Sequence, residues 1–171
     1  SMHGSLGDID GDGLPDLLVT DLRYGALYKN TGNGIYQDIT RRSGVAGHFS
    51  GKGQWGAALF DYDNDGDLDI FTANGTAEEL ILQPPLLLEN DGKGQFRNVG
   101  KESSAYFSTK RSGRATAVVD YDNDGNMDLI VSHIDLKGTP VLLRNEGGNH
   151  NHWLGLSLQG KDGPASALGS R

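Results

Sequence analysis

An aspartate-rich segment of nine residues occurs three times in this chain and constrains its fold more than any other feature. Each copy reads D-x-D-x-D-G-x-x-D, and the copies begin at Asp8, Asp61 and Asp120. A unit that recurs at intervals of roughly 50–60 residues predicts a repeat architecture in which every copy forms the same supersecondary structure. The chain is therefore interpreted as three units, each organised around one acidic loop.

The sequence around each acidic loop is also repeated. A short apolar run follows the loop, then comes a segment that ends in asparagine, a glycine-rich turn and another apolar segment. A run of small and apolar residues precedes the second and third loops, at 53–60 and 113–119. Short runs rich in β-formers and separated by turn signals predict strands rather than helices. Each unit is therefore expected to contain four strands.

Four strands in a unit of this size predict an all-β protein made of three four-stranded antiparallel β-propeller blades. The predicted blades are 1–52, 53–111 and 112–171, with the first strand of the first blade clipped. Small residues such as Gly56 and Gly113 suit the crowding near a propeller axis. A β-sandwich and a solenoid of hairpins are the alternatives. Three blades form only a partial propeller, which association between copies could complete.

The spacing within each loop predicts a Ca²⁺ site. Calcium takes six to eight oxygen ligands at about 2.3–2.6 Å, and side chains at positions 1, 3, 5 and 9 plus a backbone carbonyl at position 7 supply oxygens. Glycine at position 6 permits the sharp turn. The predicted ligands of the three sites are Asp8, Asp10, Asp12, Leu14 and Asp16; Asp61, Asp63, Asp65, Asp67 and Asp69; and Asp120, Asp122, Asp124, Asn126 and Asp128.

Other interpretations of the acidic loops fit less well. Two carboxylates about 4 Å apart repel by roughly 1 kcal/mol in water and about 4 kcal/mol at an effective dielectric of 20, which favours a counter-ion. Mg²⁺ retains its waters, and Zn²⁺ prefers histidine or cysteine, which the loops lack. An EF-hand requires glutamate at position 12, where this chain has Val19, Thr72 and Val131.

The loops and their flanks resemble the FG-GAP/VCBS repeat family, the integrin-α-like propellers. The match is carried by 61–74, by 120–133 and by the turn at 90–96, and the tail from 151 onward resembles the start of an ASPIC/UnbV module. The resemblance implies calcium at each acidic loop and export from the cytoplasm. It also implies a role in adhesion or ligand display, at an extracellular, periplasmic or cell-surface location.

Composition excludes several functions. The formal net charge is −8 and no basic run is present, which disfavours binding to nucleic acid or to an anionic membrane. Cysteine is absent, so neither disulfides nor thiolate metal sites stabilise the chain. No apolar stretch approaches the 18 residues or so that a membrane-spanning helix needs.

The sequence therefore predicts a calcium-binding propeller that acts as a non-catalytic scaffold. Its expected partners are other copies of itself, through the open edges of the blades, and a protein or glycan ligand of unknown identity. A lectin that binds sugar through Trp55 or a nearby tyrosine is one alternative. A fragment of a calcium-containing polysaccharide-degrading enzyme is another, with His48 and either Arg41 or Arg42 as the only candidate catalytic pair.

Overall fold

The computed structural model describes residues 2–76, 81–135, 138–147, 151–154 and 156, which form three antiparallel sheets. The first sheet contains β1 (His3–Gly7), β2 (Asp16–Thr20), β3 (Ala26–Asn30) and β4 (Tyr36–Asp38). The second sheet contains β5 (Gln54–Phe60), β6 (Asp69–Asn74), β7 (Leu86–Asn90) and β8 (Phe96–Asn98). The third sheet contains β9 (Gly113–Val119), β10 (Asp128–His133) and β11 (Val141–Leu143).

Each sheet is a meander in which strands follow one another in chain order, as in a propeller blade. The acidic loop joins the first and second strands every time. Its ninth residue pairs with the residue just before the loop, since Asp16 faces Gly7, Asp69 faces Phe60 and Asp128 faces Val119. The all-β fold of three antiparallel sheets predicted from the repeat is confirmed.

The two ends of the chain differ from the central blade. Strand β1 has five residues against seven in β5 and β9, yet it pairs with every residue of β2. The fourth strand expected near 153–158 falls partly outside the described residues, and its described positions 153, 154 and 156 are not in a strand. The rest of the tail that resembles an ASPIC/UnbV module also lies outside the described residues.

Two apolar cores hold the sheets together face to face. The first core lies between the first and second sheets and includes Leu18, Leu27 and Ile70. The second core lies between the second and third sheets and includes Phe71 and Leu129. Because successive residues of a strand point to opposite faces, Ile70 and Phe71 enter different cores, and β6 is buried along its whole length.

The innermost strands pack directly against one another, with β5 lying between β1 and β9. Gly56 marks the closest approach, because a Cβ at this position would lie 2.4 Å from the carbonyl oxygen of Arg114. The small residue expected near a propeller axis is therefore found where two backbones meet. A side chain at this position would push the second and third sheets apart.

Short helical segments connect the sheets and were not predicted from the sequence. They are α1 (Val45–Phe49), α2 (Gly100–Ser103) and a 3₁₀ turn at Ala105–Ser108. Phe49 closes the end of the first core and Phe107 closes the end of the second. Within the described part of the chain, no helix is long and apolar enough to cross a membrane.

The outward face of the third sheet is apolar and exposed. Ile130 and Leu142 are 41 % and 45 % exposed, whereas Phe71 and Leu87, at the matching positions of the second sheet, are 0 % and 4 % exposed. The third sheet covers the face of the second, and nothing described here covers the third. The sequence predicts self-association through the open edges of the blades, and that prediction stays untested.

Candidate metal centres

The three acidic loops share one backbone conformation. Position 6 is glycine in each, with a positive φ of 83°, 97° and 87° in chain order. Position 4 is also left-handed, with φ of 56° at Asn64 and 58° at Asn123, a conformation that asparagine and glycine adopt more readily than other residues. The turn at position 6 was foreseen from the sequence, whereas the turn at position 4 was not.

The aspartate at position 1 organises the turn. In the second loop, Asp61 accepts hydrogen bonds from the amides of Asp65 at 3.1 Å and Gly66 at 2.9 Å. The first and third loops contain the same pair of bonds. The aspartate at position 5 in turn accepts the amide of position 7, at 2.9 Å in the second loop. These bonds wrap the backbone around the carboxylates.

The aspartate at position 9 ties the loop to the sheet. Asp69 is 1 % exposed, and its two oxygens accept the amides of Tyr62 at 3.0 Å and Asn90 at 2.8 Å. Asp16 and Asp128 make equivalent pairs of bonds. Burial raises the pKa of Asp69 to about 7, although the two amides oppose the shift. This side chain is therefore structural as well as a candidate ligand.

Carboxylates from positions 1, 3 and 9 converge in every loop. Their oxygens lie within 4.8 Å of one another in the groups Asp8–Asp10–Asp16, Asp61–Asp63–Asp69 and Asp120–Asp122–Asp128. In the second loop, burial and then the neighbouring Asp65 and Asp61 raise the pKa of Asp63 to about 6.

One oxygen at position 3 has no hydrogen-bond partner in any of the three loops. These oxygens are Oδ1 of Asp10, Asp63 and Asp122, and all are buried. A buried carboxylate oxygen without a partner is unfavourable and rare in folded proteins, whereas a bound cation satisfies it. Because the side chains that converge in each group are all carboxylates, which offer oxygen ligands, the residues present fit Ca²⁺.

The remaining predicted ligands lie outside these groups. Position 5 (Asp12, Asp65 and Asp124) is hydrogen-bonded to the amide of position 7. Position 7 (Leu14, Asp67 and Asn126) was expected to offer its carbonyl, and that contribution stays a prediction. Lys29 lowers the pKa of Asp12 through a side-chain hydrogen bond.

A repeated asparagine at the end of the third strand links neighbouring loops. The amide nitrogen Nδ2 of Asn90 donates to the carbonyl of Ile9, in the preceding blade, at 2.8 Å. Asn145 makes the same bond to Tyr62 at 2.6 Å. The repeat of this asparagine was visible in the sequence, but it was interpreted only as the start of a turn. It connects each acidic loop to the acidic loop of the preceding blade.

The residues on which the lectin and enzyme hypotheses depend were also located in the structure. Arg114 lies over the Trp55 ring, 4.3 Å from its centroid, and the indole Nε1 donates to the carbonyl of Gly75 at 3.1 Å. His48 lies in α1, where burial lowers its pKa. Among the described contacts, no hydrogen bond or ion pair joins His48 to Arg41 or Arg42.

A cleft of about 730 Å³ opens between the second and third sheets. Its lining combines apolar side chains such as Phe60 and Leu87 with the polar groups of Tyr62, Glu89 and Arg144. The cleft reaches the second acidic loop at Asp63. Any ligand held there would therefore lie beside a candidate metal centre.

Comparison with known proteins identifies one family and several relatives. The model of the FG-GAP-like repeat matches residues 8–72 and 82–131. Cartilage acidic protein 1 of Mus musculus is 29 % identical over 129 residues, which are 72 % of this chain and 19 % of that protein. The Homo sapiens protein of the same name is 27 % identical, over 72 % of this chain and 18 % of its own length. The chain thus spans less than a fifth of these curated relatives.

A solved structure also resembles the chain. It is a lectin of Agrocybe aegerita that recognises non-reducing terminal N-acetylglucosamine. The sequences are 21 % identical, the TM-score is 0.41, and the alignment covers 84 % of this chain and 38 % of the lectin.

Proposed function

This chain belongs to the FG-GAP-like repeat family, and from that premise we propose that it is a calcium-stabilised propeller scaffold without catalytic activity. The observation that carries the proposal is the buried, unpartnered oxygen found at Asp10, Asp63 and Asp122. It recurs at the same position of three loops, each time beside two further carboxylates. A solvated acidic turn with no binding role would not be expected to repeat this arrangement in three units.

A bound calcium ion would supply positive charge and fill the coordination that each loop leaves open. The chain's own residues define what that ion stabilises. Position 9 already ties the start of the loop to the third strand, so an ion held by positions 1, 3 and 9 closes the hairpin between the first and second strands. Binding free energy then adds to the free energy of unfolding, because the unfolded chain has no such cage.

The scaffold role is favoured over the two alternatives. The enzyme hypothesis depends on His48 acting with Arg41 or Arg42. The lectin hypothesis depends on Trp55 or a nearby tyrosine, and Arg114 covers the Trp55 ring. We propose an extracellular or cell-surface location, where calcium is abundant enough to load extracellular modules with dissociation constants of about 10⁻⁴–10⁻³ M. The ligand that the scaffold displays or binds is a protein or a glycan.

Thermal unfolding tests the proposal. The melting temperature of chelator-treated protein is expected to rise by about 20 °C when calcium is added, because each of the three sites adds about 2.7 kcal/mol at a calcium concentration about 100 times its dissociation constant. Circular dichroism follows the transition, with Mg²⁺ as the ion control. The variant Asp10→Asn/Asp63→Asn/Asp122→Asn should lose the rise. An equal rise in that variant, or none in the native chain, contradicts the proposal.

A further inference from the structure

The residue just before the repeated asparagine differs in the sign of its charge among the three units. It is Lys29 in the first, Glu89 in the second and Arg144 in the third. Each lies on the third strand of its unit or directly after it, next to the acidic loop of the same unit. The three metal centres therefore share their aspartates but not their nearest additional charge.

In the first unit, the lysine occupies the acidic loop. The ammonium Nζ of Lys29 donates to Oδ2 of Asp10 and, at 2.8 Å, to Oδ2 of Asp12. Its side chain is 21 % exposed. The lysine thereby offsets part of the negative charge of the two carboxylates at positions 3 and 5, the first of which belongs to the candidate metal centre.

In the third unit, the arginine does the same. Nε of Arg144 donates to Oδ2 of Asp122 at 2.7 Å, and Nη2 lies 3.8 Å from Oδ2 of Asp124. A different cation, on a different side-chain geometry, thus reaches the same two loop positions as in the first unit. The ion pair is a repeated feature of the outer units rather than an accident of one side chain.

The second unit has an additional anion at this position. Glu89 accepts hydrogen bonds from the hydroxyl of Tyr62 at 2.8 Å and from Arg97 at 3.0 Å. Throughout the described residues, no lysine or arginine forms an ion pair with an aspartate of the second loop. This loop also has a fifth aspartate, Asp67, where the others have Leu14 and Asn126.

We infer that the three centres are unequal, with the second binding calcium most tightly and the first and third weakened by built-in cations that calcium must displace. The inference rests on the proposed function and adds an order of loading to it. Coulomb interaction alone predicts the direction, because an incoming ion meets only carboxylates in the second loop but a competing ammonium or guanidinium in the others. Ion-pair hydrogen bonds of this kind are strong enough to change affinity about tenfold or more.

Unequal loading gives the central blade a distinct role. At low calcium, the first and third loops keep a counter-charge of their own, whereas the second loop has none. Its blade contributes to both apolar cores. The second loop, which fills first as calcium rises, therefore lies in the blade that packs against both of the others.

Isothermal titration calorimetry of chelator-treated protein with calcium tests this order. The native chain is expected to show one step at least about tenfold tighter than the others. Asp63→Asn should remove that step, whereas Asp10→Asn and Asp122→Asn should leave it. Circular dichroism of each variant in chelator verifies that it is folded before titration.

Variants outside the predicted ligand set provide the matched controls. Lys29→Met removes the ammonium but keeps the stem, and should tighten a weak step about tenfold, whereas Lys29→Arg should not. Glu89→Lys places a cation beside the second loop and should weaken the tightest step, whereas Glu89→Gln keeps an acceptor for Tyr62 and should change it less. These variants test the inference even if Asp63→Asn does not fold.

The possible outcomes distinguish failure of the inference that the sites are unequal from failure of the proposed calcium-binding function. Three steps of equal affinity, a tightest step that survives Asp63→Asn, or no effect of Lys29→Met and Glu89→Lys would overturn the unequal loading and leave calcium binding intact. Absence of calcium binding in the native chain would overturn the proposed function itself.

Discussion

Replacing Asp69 with alanine is expected to lower the free energy of unfolding by about 3 kcal/mol in chelator, and by more in calcium. The carboxylate is 1 % exposed and accepts the backbone amides of Tyr62 and Asn90. Its removal leaves one buried and one partly buried donor without partners, at about 1–3 kcal/mol each. In calcium, the variant also loses the binding free energy of the second centre. Urea unfolding followed by circular dichroism measures both losses.

Two control variants isolate the role of this side chain. Asp69→Asn keeps one carbonyl acceptor and should lie between the native chain and the alanine variant. Asp67→Ala removes a partly exposed carboxylate from the same loop and should change the free energy of unfolding in chelator by no more than about 0.5 kcal/mol. If Asp69→Ala in chelator costs no more than Asp67→Ala, position 9 does not tie the loop to the sheet.

The second large effect is expected at the contact between the innermost strands. Gly56→Ala should destabilise the fold by about 3 kcal/mol, because overpacking costs about 1–3 kcal/mol and the obstacle here is backbone. The added Cβ would lie 2.4 Å from the carbonyl oxygen of Arg114 and 2.8 Å from the amide nitrogen of Thr116. Neither atom can rotate away, so β5 and β9 must separate. Thermal and urea unfolding in saturating calcium measure the effect.

Gly4 supplies the matched control, since it also lies in a first strand. A Cβ at Gly4 would have its nearest neighbours at 4.0 Å, which is ordinary contact. Gly4→Ala should therefore be neutral or slightly stabilising, because alanine restricts the unfolded chain more than glycine does. Equal destabilisation by the two substitutions would show that the close approach of β5 to β9 does not hold the blades in place.

The repeat predicted the strands because each unit repeats alternating apolar runs between strong turn signals. It also located the loops, since the aspartate spacing and the glycine at position 6 are local features. The short helices were missed because segments such as α1 and α2, of five and four residues, are too brief to show helical periodicity. The buried rings of Phe49 in α1 and Phe107 in the 3₁₀ turn are positioned by the cores that they cover rather than by local propensity.

Contacts between strands and blades could not be inferred from the spacing alone. The bonds from Asn90 to Ile9 and from Asn145 to Tyr62 join residues far apart in the chain, and only the packing of neighbouring blades brings them together. Lys29 and Arg144 are recognisable as charged residues in the sequence, but whether they reach the aspartate at position 3 of a loop depends on strand register. Self-association through the exposed face at Ile130 and Leu142 stays a prediction, which sedimentation velocity over a range of concentrations can decide.

Direct counting of bound calcium tests the central claim most directly. Equilibrium dialysis followed by elemental analysis should find three calcium ions per native chain, retained in excess Mg²⁺, because three loops present the same group of carboxylates. Asp10→Asn, Asp63→Asn and Asp122→Asn should each remove one ion, and the triple variant should bind none. A native chain that binds no calcium, or a triple variant that binds as much as the native chain, would contradict the account.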